Sequence, residues 1–184
     1  MRMMRRARAA LLLTFAFLAL PDVAAAGPRV LLFPFEIVDA TESAGAYGYD
    51  QPGGLPTGPS QAETARLKRI SADLAARIEK DGRYTLVGNA AIDADIEAKK
   101  PISKCNGCED DIAKAAGASL ALVAVVEKLS DLLFNFKLYL RDVPAQKVTS
   151  VMSITVQGST DEAWLRGVRY LAERQLLVAE GNGK

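Results

Sequence analysis

The 184-residue sequence has no histidine, only two cysteines and a single tryptophan. Without histidine the usual neutral-pH general base is missing, and the Ser-His-Asp and Cys-His arrangements of hydrolases are excluded. Two thiols with no histidine fall short of a tetrahedral zinc site. Covalent haem attachment is excluded too, because Glu109 stands where a histidine would have to follow Cys108. Beyond residue 26 no apolar run is long enough to span a bilayer. The glycines between Gly45 and Gly58 lack the following helix start and Lys-Ser/Thr of a phosphate loop. These residue types imply no cofactor and no metal.

What the chain does have begins at its N-terminus. Met1 to Arg8 carries four arginines, Ala9 to Leu20 is almost continuously apolar, and Ala24-Ala25-Ala26 supplies small residues before Gly27. That layout is a secretory signal peptide over residues 1–26, and the expected location is the periplasm. No cysteine stands at the cleavage point to carry a lipid. Cleavage removes four arginines and one aspartate, leaving a mature chain whose acids outnumber its bases by two. Such a balanced surface gives no electrostatic case for nucleic acid. Residues 27–184 are enough for one domain with its own core.

Arg29 to Ile37 reads as a buried strand in which Pro34, lacking an amide donor, marks an edge or a bulge. Residues 39–60, rich in glycine and proline, form a long loop. Leu67, Ile70, Leu74 and Ile78 make one helical stripe over Gln61 to Lys80, with Ser60 and Glu63 as a capping box and Asp81-Gly82 as the stop. A short strand over Tyr84 to Val87 follows. Two short helices come next, the first capped by Asn89 and ended by Pro101, the second over Glu109 to Ala116. Ser119 to Val126 is apolar on both faces, as a central strand is. Leu133 to Asp142 alternates, with Phe134, Phe136, Leu138 and Leu140 inward and Asn135, Lys137, Tyr139 and Arg141 outward. Lys147 to Gln157 pairs back with Val148, Met152, Ile154 and Val156 inward. Ser159 or Thr160 then caps a closing helix to about Ala179, whose inner stripe is Trp164, Val168, Leu171 and Leu177. The expected fold is α/β in the α+β sense, a single domain. Its mixed sheet of about five strands ends in an antiparallel three-strand meander, with helices packed on the sheet.

Cys105-Asn-Gly-Cys108 is the one pattern with a chemical signature. In an oxidising compartment it reads as a disulfide. The same spacing before a helix serves thiol–disulfide exchange, where the helix dipole favours a thiolate. Glu109, Asp110 and Asp111 oppose that thiolate by like-charge repulsion. A structural clip, a redox centre at Cys105 and Cys108, and free thiols therefore stay open.

Several segments carry a resemblance. Cys105-x-x-Cys108, Glu127-Lys128-Leu129-Ser130, Leu138 to Val143 and Thr160 to Gly167 are similar to an uncharacterised exported bacterial family of the DUF2380/DUF3280 type. More distantly, Arg29 to Phe35, Gly117 to Leu122 and Arg141-Asp142-Val143 resemble the N-terminal domain of TolB and the small domains of envelope-assembly lipoproteins. The resemblance implies an export address and a fold, and no activity.

The remaining candidates are surfaces. Tyr47, Tyr49, Asp50 and Gln51 in the glycine-rich loop have the composition of an adaptable recognition segment. The polar sheet face bearing Asn135, Lys137, Tyr139 and Arg141 is the second docking surface. Glu127 with Asp131, and Glu36, are carboxylates at strand ends and read as a solvated rim and a loop anchor. The favoured function is a non-catalytic periplasmic accessory protein that recognises another envelope protein. The alternatives are a thiol–disulfide redox protein and a small-ligand binding protein. Self-association is also open.

Overall fold

A computed structural model describes residues 27–39, 58–88 and 90–178. The expected signal segment, Asn89 and the loop residues Tyr47, Tyr49, Asp50 and Gln51 lie outside the described residues. Along the chain run β1 (Arg29–Leu32), β2 (Glu36–Asp39), α1 (Gln61–Asp81), β3 (Thr85–Leu86), α2 (Asp93–Ala98), a 3-10 turn (Ile102–Lys104) and α3 (Cys108–Ala115). Then come β4 (Leu120–Ser130), β5 (Leu133–Asp142), β6 (Lys147–Gln157) and α4 (Asp161–Leu171), which continues as a π turn over Ala172–Leu176.

One mixed sheet has the order β3-β1-β4-β5-β6, with β2 also paired to β4. The first expected strand is in fact two. Both halves run parallel to β4, β1 beside Leu120 to Leu122 and β2 beside Val125 to Lys128, with the break at Phe33-Pro34-Phe35. Pro34 cannot donate to a ladder, so the strand is interrupted where it passes β3 and becomes an edge. The freed amide of Phe35 donates instead to Ser71 Oγ of α1 at 2.8 Å. The meander is as expected: β4, β5 and β6 pair antiparallel.

β4 shows why both faces of its sequence are apolar. Leu122, Ala124 and Val126 join one core with α1 and α4, while Ala121, Val123 and Val125 join a second with α2, the 3-10 turn and α3. On α1, Leu67, Ile70, Leu74 and Ile78 are all buried, and Ser60 and Glu63 form the capping box. Trp164 is fully buried, edge-on to Phe134 and Phe136 at 5.0 and 5.3 Å.

Two expected core positions move. Val148 lies on the outer face at 42% exposure. A bulge sets Leu140 opposite Ser150 but Arg141 opposite Val148, so the alternation of β6 slips by one residue. Leu177 is only half-buried and Leu176 takes the core place, because the π turn adds a residue to the helical repeat: Leu177 N donates to Ala172 O at 2.8 Å.

Candidate functional site: the open outer face of the sheet

The two faces are covered unequally. α2, the 3-10 turn and α3 pack over the β1–β4 half of the outer face, and among the described residues no element covers the β5–β6 half. Period-two alternation sets Asn135, Lys137, Tyr139 and Arg141 in a row on this half, as the sequence predicts. Opposite them on β6 are Thr155, Ser153, Val151 and Val148.

The charges of the row are already paired. Lys137 Nζ lies 2.6 Å from Glu127 Oε1 on β4, and Asn135 Nδ2 donates to Glu127 Oε2 at 3.3 Å. The bond to Glu127 holds the Lys137 ammonium above its ordinary value, against the opposing effect of burial. Glu127 is thus a half-buried partner rather than a solvated rim. Lys128, next to it, bridges Glu63 at 3.1 Å and Asp131 at 3.2 Å. Arg141 reaches the first turn of α3, with Nε donating to Asp110 Oδ1 at 2.9 Å and Nη1 3.2 Å from Glu109 Oε1.

Where the covered half meets the open half there is a cleft of about 380 Å3. Val123, Val125 and Tyr139 line it, and Lys104, Glu109, Glu127 and Arg141 supply its charges. One wall is the 3-10 turn, fixed from below by Glu36, whose carboxylate accepts the amides of Ile102 at 2.8 Å and Ser103 at 2.6 Å. Glu36 is therefore a loop anchor. Lys104 has no ion-pair partner among the described residues, which distinguishes it from Arg141 and Glu109 beside it.

Cys105 and Cys108 form a disulfide with their Cα atoms 5.6 Å apart. Asn106 and Gly107 both take positive φ, 56° and 111°, to close this ring. α3 starts at Cys108, one residue earlier than expected, so the cysteine at the helix start is the second of the pair. Cys105 instead sits with its sulfur 3.2 Å from Glu109 Oε2, which also accepts the Gly107 amide at 3.0 Å. In the reduced form that carboxylate would oppose a Cys105 thiolate. The donor atoms of Cys105, Cys108 and Glu109 lie within 4.8 Å of one another, but sulfurs joined to each other are not the thiolates a soft metal needs.

Glu109, Asp110 and Lys104 are the parts of this site that sequence reasoning missed. In sequence the two acids look like ordinary helix-start charges, and their pairing to Arg141 spans 31 positions in the case of Asp110. The available signal was the lone arginine in the outward row of β5, set opposite three consecutive acids in a compact domain.

No helix among the described residues is long and apolar enough to cross a membrane. No curated protein matches the sequence. Among solved structures, the lipoprotein GNA1162 from Neisseria meningitidis is similar at 14% identity over 71% of this chain and 81% of that one, with a TM-score of 0.46. The LpoB C-terminal domain from Escherichia coli is similar at 15% identity over 74% and 87%, with a TM-score of 0.45. TolB from Acinetobacter baumannii is similar at 15% identity over 80% of this chain and 28% of that one, with a TM-score of 0.40. The split first strand, the meander and the closing helix all fall within residues 28–176, and over that span the chain belongs to the family described as "Protein of unknown function (DUF2380)".

Proposed function

We propose that this protein is a periplasmic, non-catalytic accessory protein that recognises another envelope protein through the open β5–β6 face and its cleft. The observation that carries the reading is the unequal covering of the sheet. A row of ordered polar side chains and a half-exposed tyrosine stand beside a cleft that no element among the described residues fills. Because Lys137 and Arg141 are neutralised within the face, docking there desolvates few free charges, and Lys104 gives it one cation for an acidic group on the partner. The disulfide and the N-terminal segment both agree with an exported chain. The cleft also favours a second reading, in which it holds a small ligand with an apolar body and a carboxylate or similar anion near Lys104.

Site-specific photocrosslinking in the envelope tests the first reading. A photoreactive phenylalanine at Tyr139 should capture a discrete protein that the same probe at Lys68, on the exposed side of α1, does not. Lys137→Glu and Lys104→Glu should weaken the capture. Equal labelling from both positions, or none from Tyr139, would remove the β5–β6 face as the docking surface. Deleting residues 47–59 in the same assay asks whether Tyr47, Tyr49, Asp50 and Gln51 contribute to the same partner.

A further inference from the structure

β6 is the last strand of the sheet, so one of its sides has no neighbouring strand. At the middle of that side a side chain imitates one. Gln175, in the π turn after α4, accepts the amide of Ser153 on its Oε1 at 3.2 Å and donates from Nε2 to the Ser153 carbonyl at 3.0 Å. A carboxamide is chemically a peptide group, and here it satisfies both backbone groups of one residue as a strand neighbour would. Ser153 lies opposite Lys137 of β5. Because antiparallel pairs alternate, Val151 and Thr155 turn their backbone groups the same way, and these have no partner among the described residues.

Proteins normally protect such an edge with lysine, proline, a short strand or a covering element. From Val148 to Gln157 the strand has no charge, no proline and no glycine, and six of its ten residues are valine, isoleucine or threonine. Among the described residues, the Gln175 amide is the single cover at its centre.

We propose that the β6 edge is a self-association site, on which β6 of a second copy of this chain pairs antiparallel after displacing Gln175. The occupant follows from the strand's own register. A two-fold axis through Ser153 sets Val151 opposite Thr155 of the second copy and Met152 opposite Ile154 of the second copy. Apolar inner residues then meet apolar ones, outer residues meet outer ones, and no like charges face each other. Ile154, half-buried at the rim of the core, gains cover from that arrangement. Exchanging a side-chain amide for a main-chain amide conserves the hydrogen bonds at Ser153, so the association is reversible and Gln175 sets its strength. This surface is the edge of the sheet rather than its open face, and the inference does not depend on the function proposed above.

Sedimentation velocity on the processed chain, from about 1 µM to about 1 mM, provides the test. The expected result is a concentration-dependent monomer–dimer equilibrium. Gln175→Ala, which leaves Ser153 uncovered, should tighten it roughly 3- to 10-fold. Ser153→Lys sets two ammonium groups opposite each other at the axis, and Val151→Lys introduces a charge nearby; either should give a monomer. Circular dichroism identifies which lysine variants are folded, and hydrogen exchange on wild type should show the amides of Val151 and Thr155 gaining protection at high concentration. A wild type and Gln175→Ala that both stay monomeric overturn the proposal. So does a dimer whose Val151 and Thr155 amides remain unprotected.

Discussion

Arg141 on β5 forks onto Asp110 in the first turn of α3, and Asp110 is only 3% exposed. The bond to Asp110 holds the guanidinium above its ordinary pKa, against the effect of burial. The pair joins the open sheet face to the helix that carries the disulfide. Arg141→Met would leave a buried carboxylate without its cation, at a cost of about 3 kcal/mol. The expected fall in melting temperature is roughly 6–12 °C. Asp110→Asn combined with Arg141→Met should recover a good part of that loss, and a double-mutant cycle by urea unfolding measures the coupling. Strictly additive losses would show that the pair does not act as a unit.

Gly167 reverses a familiar expectation. Replacing glycine by alanine within a helix normally stabilises by up to about 1 kcal/mol. In α4, however, a Cβ at Gly167 would fall 2.5 Å from Val156 Cγ2 and 3.5 Å from the ring of Phe136. The short, branched valine cannot turn aside, so α4 would have to lift from the sheet. Gly167→Ala is expected to destabilise by about 1–3 kcal/mol. A variant as stable as wild type in thermal denaturation would show that the contact relaxes freely.

Acid stability should depend on Glu63. Burial pushes its carboxyl up, but the Ser60 amide, the Ser60 hydroxyl and Lys128 together outweigh burial and hold it below the ordinary 4.5. A carboxylate depressed in the folded state contributes stability above its unfolded pKa, and that contribution is lost as pH falls through the folded value. Wild type should therefore exceed Glu63→Gln by about 1 kcal/mol at neutral pH, the scale of a helix cap. The gap should close as pH falls below 4.5. A difference that stays constant from pH 7 to pH 3 would rule out this origin.

The cysteine pair is expected to behave as a clip. Its ring is small, so Cys105→Ser with Cys108→Ser should cost about 2 kcal/mol or less and leave crosslinking from Tyr139 intact. With Glu109 beside Cys105 and Cys108 at the helix start, the reduced form lacks a stabilised thiolate at the first position. The reduction potential should lie below about −300 mV. A value near −200 to −120 mV would restore the thiol–disulfide reading.

The sequence was most legible where one periodicity acts alone. The stripe from Leu67 to Ile78, the alternation of β5 and the burial of Trp164 all follow from spacing, and the capping box follows from two residues three apart. It was least legible where a local irregularity resets the period. The bulge beside Leu140 sends Val148 outward, and the π turn puts Leu176 where Leu177 was expected. Both are one-residue slips that a hydrophobic pattern tolerates in either register. Pairings across the chain were invisible for another reason. Glu36 meets Ile102 and Ser103 at separations of 66 and 67, so strand-end carboxylates reveal their partners only after folding.

The place of β1 has a consequence in time. Its neighbours are the two residues of β3 and the start of β4, and its carbonyl at Arg29 waits for Ser119, 90 positions later. A chain delivered N-terminus first presents an apolar strand long before the partner that shelters it. The meander from Leu120 onward needs only its own turns and should form early, whereas β1 and β2 close the largest loops. Until β4 emerges, Val30 to Phe35 is an exposed, association-prone segment. Refolding yield should therefore fall steeply with concentration, while a fragment from residue 27 to residue 118 should aggregate rather than fold.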